Sequence, residues 1–253
     1  MTGHVSIVGL GPGGPEHTTP AASNALAAAT DLVGYGPYLE RVPARPQQTK
    51  HPSDNRVEIE RARTALEFAR AGRQVAIVSS GDAGVFAMAA TVFEAIEQDP
   101  QAFSAIDVTV VPGVTAMVAA AARLGAPLGH DFCAISLSDN LKPWDVIVER
   151  LKAAAGAGFV IALYNPTSKA RPRQLNEALE ILRGILPGET QVAFATAVSR
   201  PEEKIVLSTL ADADPGCADM RTLVMIGTEA TRQLTMSDGT SWIYTPRRAE
   251  TSL

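Results

Sequence analysis

The chain has 253 residues, 46% of them hydrophobic and 19% charged, with a formal net charge of −5. That length is near the point where one hydrophobic core gives way to two, and no run approaches the roughly 18 apolar residues of a membrane-spanning helix. An acidic surface repels polyphosphate, so nucleic acid is set aside as a partner. The passage from Met1 through His4 into an apolar run, with no leader or transit segment, points to the cytoplasm. Cys133, Cys217 and the histidines His4, His17, His51 and His130 are scattered without metal-ligand spacing, so neither a disulfide framework nor a metal centre is expected. The cysteines read as small buried apolar residues.

His4 to Leu10 reads as a buried strand, broken by the glycine cluster Gly9, Gly11, Gly13 and Gly14. Thr19 can cap a helix with Pro20 in its first turn, running to about Ala29. A short strand follows over Leu32 to Tyr35. Pro43 and Pro46 mark a loop, after which Ser53 or Asp54 caps a helix presenting Val57, Ala62, Ala65, Leu66 and Ala69 on one face and ending at Gly72. Gln74 to Ser79 is a third strand, broken by Ser80-Gly81-Asp82-Ala83-Gly84 ahead of a helix from Val85 to about Glu97. Asp107 to Val111 is a fourth, ending at Pro112-Gly113, and Thr115 starts a helix to Leu124. Strands alternating with helices argue for a parallel sheet covered on both faces, with ligands at the carboxyl ends of its strands.

Gly125 to Gly129 interrupts this pattern and divides an N-terminal domain, residues 1–124, from a C-terminal domain, residues 125–253. In the second, Phe132 to Leu137, Phe159 to Tyr164, Val192 to Ala197, Ile205 to Leu207 and Leu223 to Ile226 read as strands. Helices are expected over Trp144 to Ala155 and Gln174 to Leu186. The last three strands leave no room for intervening helices, so this sheet should be mixed. The last half dozen residues read as frayed.

Gly9-Leu10-Gly11-Pro12-Gly13-Gly14 satisfies the Gly-x-Gly-x-x-Gly pattern, and Asp31 lies about where a dinucleotide fold keeps its ribose-binding acid. Taken alone, the pattern suggests a nicotinamide-binding redox protein. Asp31, however, precedes its strand and so stands at the wrong end of the sheet. Pro12 and Pro15 also remove the N–H donors a pyrophosphate would need, and delay the helix to Pro20.

Gly81-Asp82-Ala83-Gly84, Pro112-Gly113-Val114-Thr115-Ala116 and Tyr164-Asn165-Pro166 each follow an expected strand, at intervals that resemble the tetrapyrrole methylase family, the class III methyltransferases. That resemblance runs from about Val5 to Thr228. It implies two α/β domains, an N-terminal parallel sheet and a C-terminal mixed sheet, with S-adenosylmethionine in the cleft between them, and a homodimer. Gly34-Tyr35-Gly36-Pro37-Tyr38, Ser79 to Phe86 with Ala83 after the aspartate, His130 to Asp139 and Tyr164 to Ser168 are similar to the branch that methylates precorrin-3B at carbon 17 in cobalamin biosynthesis. The branch implies methylation coupled to ring contraction, giving precorrin-4 and S-adenosylhomocysteine. Its members acting on metal-free and cobalt-containing macrocycles share these motifs, and the lack of a cysteine-rich extension favours the metal-free substrate. Another precorrin or cobalt-precorrin methyltransferase of the same fold is the alternative within the family.

Carried over residue by residue, the resemblance implies cofactor contacts at Pro12, Gly81, Asp82, Val85, Thr115, Ala116, Asn165 and Ala197. Asp82 either meets the cofactor, by a hydrogen bond or by its charge, or simply forms an Asx turn. A substrate bearing many carboxylates calls for guanidinium and ammonium groups, and Arg41, Arg45, Arg56, Lys169, Arg171 and Arg173 are the candidates. Ring contraction needs protons moved. His130, Asp131 and Ser136 are the nameable groups, although His130 and Asp131 can equally serve only to turn the chain.

Overall fold

The expected alternation folds into two five-stranded sheets and one three-stranded sheet in a computed structural model that describes residues 3–54 and 57–248. The chain divides into two compact units, Met1–Ala116 and Met117–Leu253. Arg56 and the last five residues lie outside the described residues. Among the described residues no helix is long and apolar enough to cross a membrane.

In the first unit β1 (His4–Gly9), β2 (Asp31–Tyr35), β3 (Thr49–Ser53), β4 (Gln74–Ser79) and β5 (Asp107–Val111) form an entirely parallel sheet, ordered β3-β2-β4-β1-β5. Helices α1 (Pro20–Ala28), α2 (Gly36–Leu39), α3 (Glu58–Arg70), α4 (Met88–Gln98) and α5 (Pro100–Phe103) accompany it. The inner strand β1 is buried on both faces, with Val5 and Ile7 on one side and Val8 on the other. Val5 and Ile7 join the core formed with α3 and α4, while Val8 joins the core that holds Ala22 and Leu26 of α1. Burying each such valine or isoleucine contributes about 1.5–3 kcal/mol. Helix α1 starts as expected: the Thr19 hydroxyl accepts the Ala22 N–H at 3.0 Å, and Pro20 fills the first helical position.

Three local readings are corrected. Strand β3, Thr-Lys-His-Pro-Ser, was hidden by its polarity and by Pro52, which the ladder tolerates because β3 is an edge strand. Ser53 therefore ends a strand instead of capping α3. Its hydroxyl accepts the Nε–H of the buried Arg61 at 2.7 Å, and the helix begins after Val57 with no side-chain cap. Helix α4 begins at Met88, not Val85, because Phe86 has φ +51°, which no right-handed helix contains.

The second unit holds α6 (Ala116–Leu124), apart from its first residue, together with β6 (Gly125–Ala126), β7 (Phe132–Ser136), α7 (Trp144–Gly156), β8 (Val160–Tyr164), α8 (Gln174–Arg183), β9 (Gln191–Thr196), β10 (Lys204–Thr209), β11 (Thr222–Ile226), β12 (Arg232–Thr235) and β13 (Ser241–Tyr244). Its main sheet runs β10-β9-β11-β8-β7, with β7 and β8 parallel and the other pairs antiparallel, the mixture expected from the crowded strands. Ile147 and Leu151 of α7 and Leu175, Leu179 and Leu182 of α8 share one core with Ile161, Leu163, Phe194 and Val224. Cys133 and Cys217 are unpaired and partly buried against it. Strands β12, β13 and β6 form the small third sheet, so Gly125 and Ala126 pair as a strand as well as turning the chain.

Asp31 has a structural task. Buried at the amino end of β2, it accepts from the Thr30 hydroxyl at 2.8 Å and from Arg73 at 2.9 Å, and its Oδ1 lies 2.8 Å from His51 Nε2. Burial pushes its pKa up, but the bonds from His51, Thr30 and Arg73, with the charge of Arg73, outweigh this and hold it below the ordinary value. A depressed carboxylate contributes stability that is present above the unfolded-state pKa and is lost as pH falls through the folded one. Asp31→Asn is therefore expected to cost about 1–3 kcal/mol at pH 7, a difference that shrinks below about pH 4, as read by urea unfolding at both pH values.

Candidate active site

Sheet order decides which loops meet. Because β4, β1 and β5 are neighbours, the turns leaving their carboxyl ends, at Gly81, Gly11 and Gly113, lie side by side. Gly11 and Gly81 exchange both main-chain bonds: the Gly11 N–H donates to the Gly81 carbonyl at 3.0 Å, and the Gly81 N–H donates to the Gly11 carbonyl at 2.9 Å. Both residues are left-handed, at φ +73° and +66°, a conformation glycine adopts without a Cβ penalty. A Cβ on Gly9 would lie 2.7 Å from the Gly81 oxygen and 2.8 Å from the Gly113 nitrogen, and one on Gly113 would strike the Gly81 oxygen. Three backbones touch here because none carries a side chain.

Asp82 ties two of these turns. Its Oδ1 accepts the Gly84 N–H at 2.7 Å, an Asx turn, while its Oδ2 accepts the Gly113 N–H at 2.9 Å. Arg41 joins the Gly11 turn to the Gly81 turn: its guanidinium donates to Ser80 Oγ at 3.0 Å and to the carbonyls of Gly11 at 2.9 Å and Gly13 at 3.2 Å. Its fork is turned onto the loops. Pro12, Gly81, Asp82, Val85, Thr115 and Ala116 all fall on these three turns. A Cβ built on Gly81 would sit in ordinary van der Waals contact, 3.8 Å from Thr115 Cα and 3.9 Å from the Ala116 nitrogen, so it is the positive φ and not crowding that calls for glycine here. Asp31 is at the opposite end of the sheet among His51, Thr30 and Arg73, which removes the acid a ribose-binding reading requires.

In the second unit, β7, β8 and β9 run the same way, so Ser136, Asn165 and Ala197 lie along one edge of its sheet. The Asn165 Nδ2 donates to Ser136 Oγ at 2.9 Å, and the Ser138 N–H donates to the same oxygen at 3.3 Å. Asn165 and Ala197 are left-handed, at φ +51° and +50°. Arg171 donates to the carbonyls of Asn165 at 3.2 Å and Leu137 at 3.4 Å and so braces this edge. Lys169, Arg173 and, in the first unit, Arg45 are exposed. His130 is not with Ser136. It precedes β7, with Nδ1 accepting the Asp131 N–H at 2.8 Å, and six residues of extended chain put about 20 Å between it and Ser136. The bracing done by Arg41 and Arg171 has no signature in the sequence, where both read as surface cations.

The sequence pattern of the tetrapyrrole (corrin/porphyrin) methylases matches residues 4–214. The chain belongs to that family. As a tetrapyrrole methylase, it carries within the matched stretch every turn from Gly11 to Ala197 described above, and β11 to β13 lie beyond it. It is 55% identical to a precorrin-3B C(17)-methyltransferase of Sinorhizobium sp over 98% of this chain and 97% of that protein. A crystal structure of the methyltransferase CobJ superimposes with a TM-score of 0.93 at 51% identity, covering 97% of this chain and 100% of the other. The fold is shared with the uroporphyrin-III C-methyl transferase from Thermus thermophilus complexed with S-adenyl homocysteine, at a TM-score of 0.67 and 24% identity over 88% of this chain and 97% of that one.

If contact between bare backbones holds the methylase loops together, a single methyl should be felt. Gly9→Ala is expected to cost about 1–3 kcal/mol by overpacking. Gly156→Ala, where a Cβ meets nothing within 4 Å, is expected not to destabilise. Denaturant midpoints of the two variants check this.

Proposed function

We propose that this chain transfers a methyl group from S-adenosylmethionine to carbon 17 of precorrin-3B with contraction of the macrocycle, giving precorrin-4 and S-adenosylhomocysteine in cobalamin biosynthesis. The observation that carries the reading is the 55% identity to a precorrin-3B C(17)-methyltransferase along nearly the whole of both chains. A cytoplasmic homodimer acting on the metal-free macrocycle goes with it.

S-adenosylmethionine supplies an already activated methyl on a sulfonium, so the chain's task is alignment, worth about 7–11 kcal/mol when reacting atoms are held near contact. The main chain at Gly81, which carries no side chain and lies beside Thr115 and Ala116, suits a ligand that approaches backbone closely. Pro12, Gly81, Val85, Thr115, Ala116, Asn165 and Ala197 are the residues assigned to it. The S-adenyl homocysteine complex of a protein of the same fold supports the choice of ligand. Asp82 fixes two of the turns and brings its charge to the same place. Left-handed backbone at Phe86, Asn165 and Ala197 points the same way, since such strain collects at ligand sites.

Lys169 and Arg173, exposed in the loop that β8 delivers, and Arg45, exposed in the stretch leading into β3, are the cations offered to substrate carboxylates. Arg41 and Arg171 act through the loops they brace. For the proton movement that contraction requires, Ser136 is favoured over His130. Two N–H donors occupy the Ser136 oxygen, which leaves its hydroxyl proton to donate.

Calorimetric titration of the purified protein with S-adenosylmethionine, S-adenosylhomocysteine and NADH is expected to give binding with the first two alone, and binding of NADH alone would end this reading. Asp82→Ala is expected to weaken S-adenosylmethionine about tenfold or more by releasing two main-chain N–H groups. With precorrin-3B and labelled donor, Ser136→Ala should accumulate a methylated species lacking the acetyl group that contraction forms, whereas His130→Ala should yield precorrin-4 within about twofold of the wild-type rate. NMR of the products separates the two outcomes.

A further inference from the structure

The turn after β9 is strained twice. Ala197 and Ser199 sit at φ +50° and +62°, and neither is of a type that favours the left-handed region. The turn closes through the Arg200 N–H on the Ala197 carbonyl and the Glu203 N–H on the Arg200 carbonyl, both at 3.0 Å. One side chain reaches back into it: Glu203 Oε2 accepts the Ser199 N–H at 2.6 Å and the Arg123 Nε–H at 3.1 Å. Strained backbone persists only where its surroundings over-determine it, and a short bond from a carboxylate to the N–H of the strained residue is such a restraint. The Arg123 side chain is 46% exposed and that of Glu203 27%, so water screens the ion pair and the bond to Ser199 is the stronger of the two. Arg123 lies in the last turn of α6. At the helix start, the Met117 N–H donates to Tyr164 Oη at 3.0 Å, and Tyr164 adjoins the left-handed Asn165. Helix α6 is thus tied at one end to the turn bearing Asn165 and at the other to the turn bearing Ala197.

We infer that Glu203 is a positioning residue for the methyl donor, holding the Ala197–Ser199 turn in its left-handed form so that the main chain of Ala197 is preset for ligand, with Arg123 orienting the carboxylate. This rests on the reading of Ala197 as a cofactor contact. Deleting the restraint lets the turn relax, and ligand binding must then restore the strained form.

The test measures S-adenosylhomocysteine affinity by calorimetry in wild type, Glu203→Gln, Glu203→Ala, Arg123→Ala and Glu203→Ala combined with Ser199→Gly. Glu203→Ala is expected to weaken binding about tenfold and to raise the KM for S-adenosylmethionine while leaving that for the tetrapyrrole unchanged. Glu203→Gln keeps an acceptor for the Ser199 N–H and is expected to stay within about threefold of wild type, as is Arg123→Ala. Glycine takes a positive φ without penalty, so adding Ser199→Gly to Glu203→Ala should bring the loss from about tenfold back to about threefold. Affinity of Glu203→Ala within twofold of wild type, or a loss that the added glycine does not reduce, overturns the inference. A folded wild-type chain that binds neither S-adenosylmethionine nor S-adenosylhomocysteine overturns the cofactor reading first, and this one with it.

Discussion

Direct contact between three main chains, at Gly9 with Gly11, at Gly81 and at Gly113, is the constraint on which the carboxyl end of the first unit's sheet depends. The order β4-β1-β5 makes the turns neighbours, and only the absence of side chains lets them touch. Where glycine alone fits, the exposed surface is amide and carbonyl, a lining that recognises a ligand by shape and hydrogen bonding. Charged side chains enter as fasteners: Asp82 joins the second turn to the third, and Arg41 joins the first to Ser80.

The second unit reaches a similar end by other means. Its sheet is mixed, yet β7, β8 and β9 deliver Ser136, Asn165 and Ala197 to one edge. Glycine is absent from those positions: the left-handed conformations fall on asparagine, alanine and serine, and the Ser199 N–H donates to the Glu203 carboxylate.

That difference explains what could be read in advance. The parallel sheet was legible because its inner strands are apolar runs ending in glycine, and α1 because Thr19-Pro20 is a start signal with a mechanism. Strand β3 was not, since an edge needs neither apolar residues nor freedom from proline, and the short strands β6, β12 and β13 carry too little pattern to register. The glycine turns of the first unit declared themselves by residue type. Nothing about Ala197 or Ser199 announces a positive φ, and Glu203 meets Arg123 across eighty positions of sequence. The distance between His130 and Ser136 follows from β7, since residues close in sequence stand far apart when an extended strand runs between them.

The burial of Asp31 with Thr30, His51 and Arg73 gives the first sheet two ends held in different ways. One end is fastened by a buried polar cluster, and the other by backbones in direct contact. A lesion among those four residues would reach the cell as a shortage of enzyme whose surviving copies turn over normally, since marginal folding is felt through abundance. A bulkier residue at Gly9 would be felt through abundance as well, because its Cβ would press on the Gly81 and Gly113 backbones.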